Sequence, residues 1–164
     1  MSSSLILALD LSTHTGWALG TTPEPKYGVW QLGRGGDHGR YFSGLAAMLE
    51  AFFAVTRPSV VVFEAPLPPA APKMIRSTIA TARVLIGLAA VTEMICCEQG
   101  VPCEEAEVRT ARQRVLGKQP RDGKLGVMAW ARSAGYHPQD DNAADALLLL
   151  RYRQLLNERS RTLI

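Results

Sequence analysis

Apolar positions fall along this chain in two patterns, short unbroken runs and stripes at helical spacing, and their order predicts a mixed sheet with helices on its faces. Leu5 to Leu11 is a nearly continuous aliphatic run, as expected of a strand buried on both faces at the centre of a sheet, and it brings Asp10 to its carboxyl end. Ser12-Thr13-His14-Thr15-Gly16 supplies turn residues. Trp17-Ala18-Leu19 and Tyr27-Gly28-Val29-Trp30 then read as two short strands joined through Thr21 to Pro25. Connections this short leave the three strands antiparallel. Gly33 to Gly39 is a loop, and Arg40 to Val55 sets Phe42, Leu45, Leu49, Phe52 and Phe53 along one side of a helix of about four turns.

Pro58 closes that helix, and Val60-Val61-Val62-Phe63 is a second aliphatic strand that delivers Glu64 at its carboxyl end. A proline-rich, exposed loop from Pro66 to Pro72 precedes the longest helix, Met74 to Gln99, which Gly100 stops. Val101-Pro102-Cys103 begins another strand. Thr110 to Leu116 is a short helix, Gly117 to Gly123 a loop, Lys124 to Ala134 an amphipathic helix capped by Gly135, and a last helix runs from Asn142 to Asn157. With no internal repeat, low-complexity tract or linker, residues 1–164 are expected to form one domain. Its class is α/β: a mixed five-stranded sheet, three strands antiparallel and two parallel, flanked by helices.

Composition narrows this picture only slightly. A chain of 164 residues, 47% hydrophobic and 20% charged, reads as an ordinary soluble globule, and a formal charge of +3 is too small to argue for nucleic acid. Cys96, Cys97 and Cys103 are too few and odd in number for a disulfide framework and have no His spacing for zinc, so they read as small apolar residues of a reduced, cytoplasmic protein. No basic region precedes Leu5 and the first apolar run stops at Asp10, which predicts no export signal. Thr81, Arg83, Thr92 and Glu93 interrupt the apolar stretch from Ile79 to Cys97, so it reads as a buried helix and not a membrane span.

Chemistry enters with the carboxylates. One acid at the end of an aliphatic strand is commonly just a solvated strand end, but Asp10 and Glu64 occupy matching positions on two such strands. Uncompensated charge beside a core is costly, and a cation would offset it. Gln139-Asp140-Asp141-Asn142-Ala143-Ala144-Asp145-Ala146-Leu147 adds a third acid. Asp141 reads as the N-cap, while Asn142 and Asp145, three apart, project from one face of the first helical turn. The apolar Ala146 to Leu150 packs this helix tightly, so Asp145 is held close to the sheet, and the macrodipole accounts for Asp141 but not for Asp145. Acidic and amide oxygens from two strands and a helix suit magnesium or manganese, and nuclease clusters of this kind hold two ions about 4 Å apart.

The order of these motifs resembles the RuvC family of Holliday junction resolvases within the ribonuclease H-like superfamily, and more closely its phage-type members. The likeness covers nearly the whole chain. It rests on Leu9-Asp10 with Thr15-Gly16-Trp17-Ala18, on Val62-Phe63-Glu64, on Val108-Arg109 through Leu116-Gly117 with Lys124 beyond, and on Asp141-Asn142-Ala143-Ala144-Asp145-Ala146-Leu147. It implies a metal-dependent endonuclease that makes paired nicks in four-way or branched DNA. Asp10, Glu64 and Asp145 would be its catalytic, metal-binding carboxylates, and Lys124 a basic residue assisting at the DNA backbone or active site, a place Arg112 could share. Two departures stand out. The position three before the last acid is often Asp or His in the family and here is Asn142, a neutral ligand that binds a cation more weakly unless Asp141 compensates. The loop after Glu64 lacks the aromatic residue that some relatives place near the junction centre, so no base-stacking role is carried over.

Arg109, Arg112, Arg114, Lys118, Arg121 and Lys124 lie within sixteen residues whose only acid is Asp122, a third of the eighteen Lys and Arg in a tenth of the chain. Such clustering beside a metal site is the expected phosphate footprint, against the plainer reading of a solvated loop. Lys73 and Arg76 flank the loop after Glu64 as a second contact. Trp17 and Trp30 read as core residues, and His14 as either a turn residue or a DNA contact. The helix 74–99 is apolar on more than one side, which a homodimer would bury, as RuvC-like proteins do through this helix. A sugar-kinase-like phosphotransferase would need two lobes around ATP, for which 164 residues are too few. Proofreading-type exonucleases pair two acids on the first strand, where Ser12 stands here. The remaining alternative is a branched-DNA-binding protein of the same fold that has lost catalysis.

Overall fold

The computed structural model describes residues 4–21, 24–66, 79–117 and 123–162. The first aliphatic run becomes β1 (Ile6–Asp10), with Ile6, Leu7, Ala8 and Leu9 all buried, so both faces of the strand are covered. β2 (His14–Gly20) folds back antiparallel on β1 with Asp10 opposite Gly16, and β3 (Lys26–Gln31) pairs antiparallel with β2. β4 (Val60–Glu64) lies parallel to β1 on its other side, and β5 (Cys103–Ala106) extends the sheet parallel to β4. The resulting order is β3-β2-β1-β4-β5, with the acid-bearing strands adjacent at the centre.

Alternate residues of these strands feed two cores. Leu7, Leu9, Val61 and Phe63 pack with α1 (His38–Val55) and α2 (Ile79–Gln99) on one face. Ile6, Ala8, Val60 and Val62 pack on the other with α3 (Val108–Leu116), α4 (Gly123–Ser133) and α5 (Asp141–Thr162). Trp17 and Trp30 stack at 5.8 Å with Phe52 edge-on to both, and they pack on the first of these cores as core residues.

Several element boundaries differ from expectation for local reasons. α1 starts at His38 because the Asp37 carboxylate accepts from the Gly39 amide at 2.9 Å and its carbonyl from Arg40 at 3.1 Å. Val101, expected in a strand, instead completes the end of α2. Its amide donates to the Cys96 carbonyl at 2.9 Å and that of Gly100, at φ +62°, to Cys97 at 3.0 Å, the paired closure of a left-handed helix terminus. Strand pairing therefore begins two residues later, at Cys103. Gly135 closes α4 in the same way, as expected. Residues 67–78, which carry most of the proline-rich loop and the expected first turn of the long helix, lie outside the described residues.

α2 is long and apolar enough in composition to cross a bilayer, and a third of that stretch is buried inside the fold. Its inward stripe, Val84, Leu88, Ala89, Thr92, Ile95 and Cys96, sits in the core against α1. Thr92 meets the demand of burial by donating its hydroxyl back to the Leu88 carbonyl at 2.9 Å. Cys96 is buried and Cys103 half-buried, while Cys97, one position round the helix, is exposed. A thiol hydrogen bond between Cys96 and Cys103 lowers the pKa of the first and raises that of the second.

Candidate functional site

Leu9 pairs with Phe63 across the parallel ladder, so the next residues, Asp10 and Glu64, stand side by side at the carboxyl ends of β1 and β4. Strands in a sheet are about 4.8 Å apart. Leu9 and Phe63 face α1 and α2, and the two-residue period therefore turns Asp10 and Glu64 toward the α5 face. Their outer neighbours are Gly16 on β2 and Ala106 on β5. Neither crowds the carboxylates from the flank.

Gly16 does more than leave room. A Cβ built there would lie 2.0 Å from the Asn142 carbonyl oxygen and 2.3 Å from its carbon. Only glycine lets the first turn of α5 close onto β2 beside Asp10. That turn is capped by Asp140, whose carboxylate accepts from the Ala143 amide at 3.0 Å and whose carbonyl accepts from Ala144 at 3.2 Å. Asp141, expected as the cap, is instead the first helical residue, because Asp140 sits three before the amide it satisfies.

Asp145 follows Asn142 by three residues and is 8% exposed, held between the fully buried Ala144 and Ala146. Arg112 of α3 donates from Nη2 to its Oδ1 at 3.2 Å, with side chains 24% and 11% exposed. The Nε of Arg112 is buried without a hydrogen-bond partner. A single contact, short of the two-pronged fork that guanidinium and carboxylate can form, joins two charges largely removed from water. Asp10, Glu64, Asp141 and Asp145 are each engaged by a further interaction.

The basic residues separate. Arg112, expected at the phosphate backbone or the active site, lies on Asp145. Arg109, one turn earlier, is exposed on the same side of α3. Arg114, two residues beyond Arg112, points about 200° round the helix from it at 100° per residue. Lys124 occupies the first turn of α4, while Lys73, Arg76, Lys118 and Arg121 lie outside the described residues. His14 is exposed at the start of β2, its ring near the Thr13 hydroxyl. Sequence reasoning missed two parts of this site: the role of Gly16 as the seat of α5, and the Arg112–Asp145 pair. A glycine inside a strand pattern is a signal of close backbone approach, but it does not say what approaches.

Asp10, Glu64, Asn142 and Asp145 offer oxygen alone, the donor type that hard divalent cations take. In chemistry they fit such an ion. Among the described residues no group of three or more His, Cys, Asp or Glu is gathered closely enough to hold one.

No family model matches the chain, and no curated protein is similar to it in sequence. Solved structures do match. Thermus thermophilus RuvC superposes with a TM-score of 0.69 at 16% identity over 95% of this chain and 96% of that one. T. thermophilus RuvC in complex with a Holliday junction substrate gives 0.64 at 16% identity over 88% and 89%. The yeast mitochondrial Holliday junction resolvase Ydc2 gives 0.61 at 13% over 96% and 82%. At such identities the agreement is one of fold: the chain has the RuvC-like ribonuclease H architecture.

Proposed function

We propose that this chain is a divalent-metal-dependent endonuclease that cuts four-way or related branched DNA. The observation that supports the reading is that Asp10 and Glu64 end adjacent parallel strands and turn toward α5, whose first turn closes onto Gly16, the strand neighbour of Asp10. The fold is shared with RuvC, one structure of which is in complex with a Holliday junction substrate, and with a yeast protein described as a Holliday junction resolvase. Asp10, Glu64 and Asp145 would hold the cations, with Asn142 or Asp141 completing the set. Bound there, two magnesium or manganese ions would supply activation of water and charge neutralisation at the departing 3′ oxygen.

The chain's own residues supply the rest. Arg112 neutralises Asp145 from the side of α3, so the buried carboxylate is not left without a counter-charge. Arg109 stands exposed next to it, positioned to take a phosphate oxygen and register the strand without reading bases. Lys124, at the start of α4, would act at the DNA backbone or the site, with Lys118, Arg121, Lys73 and Arg76 extending the phosphate track. A homodimer through α2 would present two such sites to two strands. Ile79, Ile86 and Met94, exposed along one stripe of that helix, support it.

The test is a cleavage assay on labelled four-way junctions, flaps, forks and linear duplex, with magnesium and manganese compared. Metal-dependent paired nicks near the branch point are expected, with duplex left uncut. Asn142 in place of an acid, and Arg112 already on Asp145, favour a second reading in which the protein binds branched DNA without cutting it. Junction binding with no cleavage under either metal would select that reading.

A further inference from the structure

Arg112 and Asp145 face each other from two helices whose backbones are set by the core. Ala111 of α3 and Ala144 and Ala146 of α5 are fully buried, so the residues beside the pair are locked in place and any change between them falls on the two side chains. Both side chains are largely out of water, and they meet through one contact, Nη2 to Oδ1 at 3.2 Å. A guanidinium on a carboxylate ordinarily closes to about 2.7–2.9 Å and is frequently two-pronged. Here it is neither.

The imperfection lies with Arg112. Among the described residues its Nε is the buried side-chain polar atom without a hydrogen-bond partner. Buried donors are almost always paired, and one left unpaired keeps its full loss of hydration. A guanidinium placed for stability alone would turn its Nε and Nη2 edge onto the carboxylate, whereas this one touches it with a single nitrogen. Arg109, one turn earlier on the same side of α3, is exposed, and Arg112 is itself partly exposed, so its long stem has solvent toward which to withdraw.

Asp145 cannot serve two cations at once. Nη2 already stands at hydrogen-bond distance from Oδ1, so a divalent cation on the same oxygen would meet a like charge where little water screens it. Arg112 has to leave for such an ion to enter, and the ion has to leave for Arg112 to return.

We infer that Arg112 is a positioning residue that holds Asp145 in a cation-free arrangement, and that binding of the divalent cation and release of the Arg112–Asp145 pair are one exchange. The inference rests on the reading of Asp145 as a metal ligand above. By linkage, the strength of the pair is subtracted from the affinity of the site for its ion, so weakening the pair tightens the ion.

The experiment follows the exchange on DNA-free protein, apart from cleavage. Manganese binding is measured through the electron paramagnetic resonance of the free ion for wild type, Arg112→Gln, Arg112→Lys and Arg114→Gln. Arg112→Gln removes the counter-charge, and its manganese affinity is expected to rise about tenfold, within the usual range of coupling between two ligands of one protein. Arg112→Lys can keep a single ammonium contact and is expected to stay close to wild type. Arg114→Gln removes the same charge from the side of α3 turned away from Asp145 and is expected to change nothing. In wild type the buried Nε–H of Arg112, identified as the NMR signal that Arg112→Lys removes, should exchange slowly with water and lose that protection under saturating magnesium. If Arg112→Gln fails to fold, the magnesium titration of wild type decides. Equal manganese affinity in wild type and Arg112→Gln, an equal gain in Arg114→Gln, or a signal still protected under saturating magnesium overturns the exchange and leaves the metal site standing. The exchange without junction cleavage supports the inference and overturns the nuclease reading. No metal binding by any of the four proteins overturns both.

Discussion

α2 and α5 are of nearly equal length and both are rich in apolar residues, yet they are buried differently. In α5 every residue from Ala143 to Leu150 is buried, because the helix is wedged between the β1–β2 side of the sheet and α3 and α4. In α2 only an inward stripe is covered, and Ile79, Ile86 and Met94 remain 91%, 50% and 49% exposed. A helix enclosed all round by small contacts has one position to occupy, and it therefore holds Asp145 against Arg112 with little freedom. A helix with large apolar side chains on its outer side is incompletely buried, and a second surface lowers its free energy. In the proposed function α5 would carry site residues and α2 would supply the pairing surface.

The contrast breaks most severely at Gly16. Gly16→Val places carbon where the Asn142 carbonyl oxygen stands, so α5 must lift from β2. The overpacking cost is expected to be about 3 kcal/mol, read as a lower denaturant midpoint, with cleavage lost even under conditions where the protein remains folded. Wild-type stability would show that α5 is not seated there. On the other helix, Ile86→Glu puts a charge into the exposed stripe without touching the inward core. Sedimentation should then report a monomer where wild type is a dimer, at unchanged melting temperature of the protomer. A wild type that is already monomeric at tens of micromolar would remove α2 as the pairing surface.

Much of this contrast can be read in the chain and part of it cannot. The aliphatic runs ending in Asp10 and Glu64 predict adjacent buried strands, since an unbroken apolar run of five or six residues is stable only at the middle of a covered sheet. The apolar excess of the long helix is likewise visible as residues. Which neighbouring Asp caps α5 was not, because Asp140 and Asp141 have the same chemistry and only the backbone turn separates them. The partner of Arg112 was not legible either: pairing with Asp145 joins residues 33 apart in sequence, and local spacing carries no information about such contacts. Val101 was misplaced because apolar character fits a helix terminus as well as a strand.

Smaller effects sharpen the account of α5. If Asn142 offers a neutral oxygen to a cation, Asn142→Asp should lower the metal concentration for half-maximal cleavage several-fold, with manganese supporting activity better than magnesium. Indifference to Asn142→Asp and Asn142→Ala, with a large shift for Asp141→Ala, would assign the ligand to Asp141 instead. Smallest is the expected change for Arg109→Ala, a fall of about one unit in the slope of log affinity against log salt, uniform across junction sequences. An unchanged slope would detach α3 from the phosphate backbone.

The central claim is that Asp10 and Glu64 are paired for metal-assisted cleavage and not for structure. It is tested most directly by measuring junction affinity and single-turnover cleavage side by side for Asp10→Asn and Glu64→Gln. The account predicts cleavage reduced below a few per cent of wild type with binding unchanged or tighter, because removing a charge also removes its repulsion of the phosphates. Cleavage retained in either variant, or binding and cleavage lost together with the fold, would contradict it.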